Sequence, residues 1–204
     1  MRAHLTKHRS MKLDTLDLLY QVLTSPSSAF QSLAERKPVA QAVAVAVATS
    51  AIFALVVLPY PPRLVENIVG LERGALGSPA LWLVWLSFFP VLLLIEAGLV
   101  RLAAASLGGR GSYRGLFCGL CFASFPLVLF APAALLRAMV DAIWGQSVYY
   151  FCSVVLALWI LWLSVLATRQ TERLALHRAI IACLIPLFVV IIAPLVAVVL
   201  CTAV

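Results

Sequence analysis

Long apolar runs separated by short charged or turn-rich segments dominate this chain. Five windows, 39–60, 79–100, 115–136, 147–168 and 179–204, contain no charged side chain except Glu96. A hydrocarbon core about 30 Å thick is crossed by about 20 helical residues at 1.5 Å rise, so each window is long enough to span it. Barrel strands would alternate apolar and polar residues over about ten positions, whereas 180–200 is apolar on every face. The pattern predicts an all-α, polytopic fold. A transmembrane domain of five helices, 39–204, follows a cytoplasmic segment, 1–38, that carries short amphipathic helices.

The punctuation agrees with this division. Lys37-Pro38 and Ser78-Pro79 open the first two spans and Pro61-Pro62 closes the first, as proline is tolerated in a first helical turn. Ahead of the spans, Leu13, Leu16, Tyr20 and Leu23 share one helical face. Ser25-Pro26 breaks the chain, and Ser28 with Gln31 has the spacing of a capping box for a helix whose Phe30 and Leu33 lie together. Both helices are expected to lie on the membrane surface or against the bundle.

Composition sharpens the picture. The chain is 64% hydrophobic and 11% charged, against about 25% charged in soluble domains, which excludes disorder and a water-soluble globular fold. Lys and Arg crowd on alternate segments: Arg2, Lys7, Arg9, Lys12, Arg36 and Lys37, then Arg101, Arg110 and Arg114, then Arg169, Arg173 and Arg178. The intervening segments hold only Arg63, Arg73 and Arg137. Positive loops stay inside, so the amino terminus is expected in the cytoplasm and the carboxyl terminus on the opposite side of the membrane. The net charge of +7 then reflects topology and attraction to an anionic leaflet, and the basic residues lack the aromatic interleaving of a nucleic-acid surface. The first apolar run begins too late and runs too long for a cleavable signal. Tyr60, Trp82, Trp85, Trp144, Tyr149 and Tyr150 are expected at the outer interface, and Tyr113, Trp159 and Trp162 at the inner one.

Candidate chemistry is sparse. Glu96, a carboxylate inside a span, is a functional suspect by default, although it falls roughly 25 Å down a core about 30 Å thick, near the cytoplasmic headgroups. Its role is either structural or that of a proton or ligand group, with a partner from another loop at least as plausible as Arg101. Pro90, Pro126, Pro186 and Pro194 each remove a helical hydrogen bond, giving bends that shape packing or act as hinges; Ser87 and Ser124 stand near enough to serve freed carbonyls. Gly115, Gly119 and Ala123, and separately Ala40, Ala44 and Ala48, form small-residue stripes that let helices approach closely, within one chain in preference to a dimer. The Gly-rich loop 106–114 offers N–H groups and Arg110 and Arg114 to a lipid phosphate. Cys118 and Cys121 have C-x-x-C spacing without a histidine or a second pair, so packing is the expected role. His4, His8 and His177 form no ligand set, and Asp141 is a surface partner for Arg137 four residues before it. No metal, cofactor or catalytic triad is indicated, which makes an enzyme the least supported class.

Ser25-Pro-Ser-Ser-Ala-Phe30, Leu33-Ala-Glu-Arg-Lys-Pro38, Gly108-Gly-Arg-Gly-Ser-Tyr113 and Ala123-Ser-Phe-Pro126, together with the span layout, resemble a bacterial member of the Yip-one domain family, named for Ypt/Rab-interacting proteins. The resemblance implies five helices, a cytoplasmic amino terminus and association with other membrane proteins. Eukaryotic members carry an acidic-tyrosine-glycine-proline motif just before the membrane, where this chain has Leu23-Thr-Ser-Pro26, so GTPase binding is not carried over. Two readings follow: a non-enzymatic scaffold or assembly partner that meets lipids and other membrane proteins or itself, and a carrier or channel component using the proline-bent helices and Glu96.

Overall fold

The structure, a computed structural model, describes residues 15–57, 79–139 and 142–188. All described elements are helical. Helices α1 (Thr15–Thr24), α2 (Pro26–Arg36) and α3 (Val39–Val57) are followed by α4 (Pro79–Ser106) and α5 (Tyr113–Ala123). A 3₁₀ turn (Phe125–Leu129) then leads into α6 (Phe130–Met139), α7 (Ala142–Glu172) and α8 (Leu176–Phe188). Three stretches are long and apolar enough to cross a membrane: Leu86–Ser106, Tyr113–Arg137 and Trp144–Glu172. Val39–Leu55 and Leu176–Phe188 are shorter apolar helices.

Helix α5 is the axis of the fold. Every residue from Gly115 to Ala123 is buried, and α5 touches α1, α2, α3, α4 and α7. Its glycines explain the closeness: a Cβ on Gly119 would stand 3.0 Å from the Cβ of Ala167 on α7. Burial of Phe30, Leu33, Phe122, Leu116 and Leu163 makes one continuous core around it.

Several element boundaries differ from the sequence reading. Helix α2 starts at Pro26 with Ser25 as its N-cap, and the Ser28 hydroxyl donates to the Ser25 carbonyl at 2.9 Å; no capping box forms, because the proline sets the first turn three residues earlier than the Ser28–Gln31 spacing suggests. Pro38 is the residue before α3, its carbonyl accepting from the Ala42 N–H at 2.9 Å. Helix α4 overruns the expected end at Val100 by continuing through Arg101 to Ser106, and α7 extends to Glu172 beyond Thr168. Arg101, taken for a loop position, is paired inside the protein with Glu172, the residue on which the longer α7 ends.

The prolines behave unequally. Pro90 lies within an unbroken α4, while Pro126 sits where α5 gives way to the 3₁₀ turn. At that joint the Ser124 hydroxyl donates to the Cys121 carbonyl at 2.8 Å and the Leu127 N–H to the Ser124 carbonyl at 3.0 Å. Ser87 donates to the Leu83 carbonyl, four residues back, at 2.9 Å, and so does not serve the Leu86 carbonyl that Pro90 leaves free. Pro186 is buried in α8; Pro194 lies outside the described residues.

Helix α1 packs on the bundle through Leu18 and Val22, 2% and 0% exposed, and turns Leu16 and Tyr20, 76% and 69% exposed, outward. The face picked out by Leu16, Tyr20 and Leu23 is therefore the outward one. It suits a headgroup boundary.

Candidate functional site

Among the described residues the polar contacts gather at one end of the bundle. Glu172, the last residue of α7, is fully buried. Arg101 of α4 donates from Nη1 to its Oε2 at 2.5 Å, and the Gly111 N–H donates to the same oxygen at 2.9 Å. The backbone carbonyl of Glu172 accepts from the Arg110 N–H at 3.2 Å. Arg178 donates to the Leu107 carbonyl at 3.2 Å. One carboxylate thus fastens the ends of α4 and α7 and the loop between α4 and α5.

That arrangement explains the glycines. Gly108 has φ of 90°, a left-handed conformation open to glycine. A Cβ on Gly111 would stand 2.2 Å from the Thr171 carbonyl oxygen, and one on Gly109 would stand 2.8 Å from both the Ala104 carbonyl oxygen and Glu172 Oε2. The loop is glycine-rich so that its backbone can lie against α7. Four of the loop's N–H groups, those of Gly108, Gly109, Arg110 and Gly111, are already bonded to Ala105, Ala104 and Glu172 and so are not open to a phosphate.

Beside this clamp lies a polar cavity of about 680 Å³. The end of α2 supplies Gln31, Ala34, Glu35 and Lys37, the loop supplies Arg110, Gly111 and Ser112, and the end of α7 supplies Gln170, Thr171 and Arg173. Its basic residues come from the three segments that the charge pattern assigns to one side. Lys37 and Arg173 hold φ of 50° and 54°, and they are the non-glycine residues with positive φ among those described. A second cavity, about 190 Å³ and apolar, lies between α1, α3 and the 3₁₀ turn, with Thr49 and Ala48 in its wall.

The residues singled out from sequence are dispersed. Glu96 is exposed on α4 and makes no hydrogen bond or ion pair among the described residues; Arg101 is committed to Glu172. Gly115, Gly119 and Ala123 are buried against their neighbours, whereas Ala40, Ala44 and Ala48 are exposed, and α3 buries Ala42, Val45, Ala46 and Thr49 instead. Arg110 borders the polar cavity while Arg114 is exposed outside it. Tyr149 is buried, 6.3 Å ring to ring from Phe130 and under the Arg137 guanidinium at 5.3 Å. Cys118, Cys121, Cys152 and Cys183 are free thiols, and among the described residues no group of three His, Cys, Asp or Glu could hold a metal ion. His4, His8 and Asp141 lie outside the described residues, and His177 is exposed.

Sequence reasoning missed Arg101, Glu172, Lys37 and Arg173 as site residues. The readable signal was the run of three glycines around Arg110, which demands close backbone approach, and an acid at the end of an apolar run.

No curated protein and no solved structure matches the chain. Residues 20–198 match the Yip1 domain, the family to which the span layout and loop motifs pointed. With helices long and apolar enough to cross a bilayer and a match over most of its length, the chain belongs to the Yip1 domain family and is a multi-pass membrane protein.

Proposed function

We propose that this protein is a non-enzymatic membrane scaffold, an assembly partner for other membrane proteins. It lies in a bacterial inner membrane with five spans, its amino terminus in the cytoplasm and its carboxyl terminus on the far side. The orientation draws support from the meeting of Lys37, Arg110 and Arg173 at one cavity, as expected when three basic segments share a compartment.

The observation that carries the scaffold reading is the placement of Glu96. A carrier needs its intramembrane acid engaged along an interior path, but Glu96, exposed at the edge of the buried stripe Leu93, Ala97 and Val100 and one turn from Leu92, 42% exposed, takes no hydrogen bond or ion pair among the described residues. An accessible carboxylate among apolar side chains inside a span is costly until a donor from another chain or a headgroup reaches it. That makes the face a place of attachment.

Photo-crosslinking from Leu92 and Ile95 in native membranes tests the reading. Adducts to a defined protein, lost in Glu96→Gln, are expected. A chain that stays strictly monomeric in mild detergent and crosslinks only to lipid would overturn it.

A further inference from the structure

We propose that the polar cavity beside the Glu172 clamp binds a phosphate ester of headgroup size, with Lys37, Arg110 and Arg173 as its charge partners. The proposal goes beyond the scaffold reading and does not rest on it.

Charge comes first. Three cations from the end of α2, the glycine loop and the end of α7 border one space, and the lining sets a single carboxylate, Glu35, against them. The nearby Glu172 does not shift that balance, because its charge is offset by Arg101 at Oε2, which also takes the Gly111 N–H, although its buried Oε1 has no partner. Ser112 and Gln170 add neutral donors. The space is a groove open to solvent, with Lys37, Arg110 and Arg173 exposed along it, and at about 680 Å³ it exceeds what an inorganic ion requires.

Backbone conformation points the same way. Lys37 and Arg173 each follow a helix in the left-handed conformation, φ 50° and 54°, where glycine is the usual and unstrained occupant. Both border the cavity. Here strained positions that glycine would relax carry the cations instead. Lys37 also stands one residue before the proline that precedes α3, and Arg110 stands just past the end of α4, so the cavity opens at the depth where an apolar helix meets headgroups. The phosphate of an anionic lipid and that of a soluble ester offer the same chemistry to these side chains.

The full chain, purified in neutral detergent, is titrated with dioctanoyl phosphatidic acid, dioctanoylglycerol, glycerol 3-phosphate and inorganic phosphate, with binding read by native mass spectrometry and thermal shift. Phosphatidic acid is expected to bind, with dioctanoylglycerol at least about tenfold weaker. Arg110→Gln should weaken phosphatidic acid about tenfold, the loss of a charge-assisted contact, while Arg114→Gln, outside the cavity, changes it less than about twofold. Glu35→Gln should strengthen binding by removing a like charge. Lys37→Gly should weaken binding yet leave Tm unchanged or raised, which separates lost recognition from lost folding. Glycerol 3-phosphate binding as tightly as phosphatidic acid assigns the site to soluble esters; binding of phosphatidic acid alone assigns it to lipid. Equal affinity for dioctanoylglycerol, or phosphatidic acid binding untouched in both Arg110→Gln and Lys37→Gly, overturns the proposal.

Discussion

At the basic end of the bundle a fully buried carboxylate joins α4, α7 and the glycine loop through Arg101 and backbone N–H groups, while at the opposite end Phe53, Phe130 and Tyr149 meet edge to face with centroids 5.9 and 6.3 Å apart. The first arrangement is directional and costly to leave incomplete, since a buried charge without its partner is strongly unfavourable. The second is tolerant of small displacements, because ring edges, lipid and apolar side chains substitute for one another. Fixed geometry at one end and adaptable packing at the other follow from those two chemistries.

The largest test of that contrast is Glu172→Ala. It leaves Arg101, 28% exposed, and the Gly111 N–H without their acceptor, and should cost about 3–5 kcal/mol, as breaking buried pairs does, measured by reversible unfolding in mixed detergent micelles. Replacing both partners, Arg101→Met with Glu172→Met, should recover most of the loss. If Glu172→Ala cost no more than a ring removed at the far end, the basic end would not be the anchor.

Gly111→Ala comes next. The new methyl would meet the Thr171 carbonyl oxygen at 2.2 Å, a backbone atom that moves only with the end of α7, and overpacking of that kind costs about 2–3 kcal/mol. Gly98 sharpens the comparison, since its Cβ would meet nothing within 4 Å. Gly98→Ala on α4 should raise stability by up to about 1 kcal/mol through helix propensity alone.

How much of this was legible in the sequence follows the same division. The apolar runs placed α3, α4, α5 and α7 because hydropathy over about 20 residues is a direct consequence of the bilayer. Their ends were not legible: Arg101 and Glu172 are 71 residues apart, and nothing local says that two charges at helix ends will neutralise each other inside the protein. The face of α3 was equally hidden. With apolar residues on every side, Ala40, Ala44 and Ala48 looked as suitable for packing as Ala42 and Ala46, and tertiary contacts alone chose the latter pair. The glycine loop was noticed, but its spacing fits a phosphate cradle and a backbone contact alike.

At the aromatic end, Tyr149→Leu removes the edge contact with Phe130 and the ring beneath Arg137 while keeping most of the apolar volume. The expected loss is about 1 kcal/mol, the usual worth of such pairs beyond area. Hydrogen exchange should show the loss confined to α6 and the start of α7, with the residues around Glu172 unaffected.

The smallest effect belongs to the joint between the two ends. Pro126 has no N–H to offer the Phe122 carbonyl four residues back, and the chain answers by tightening into the 3₁₀ turn Phe125–Leu129. The Ser124 backbone already bonds on both sides of the break, to the Leu120 carbonyl and from the Leu127 N–H, each at 3.0 Å. Its hydroxyl adds one bond, to the Cys121 carbonyl at 2.8 Å, and such side-chain bonds in membrane helices average about 0.6 kcal/mol. Ser124→Ala should therefore cost about 0.6 kcal/mol and leave both ends equally protected from exchange. A loss several times larger, spread over both ends, would mean that the joint transmits rigidity from the Glu172 clamp to the aromatic cluster, and the two regions would have to be treated as one cooperative unit.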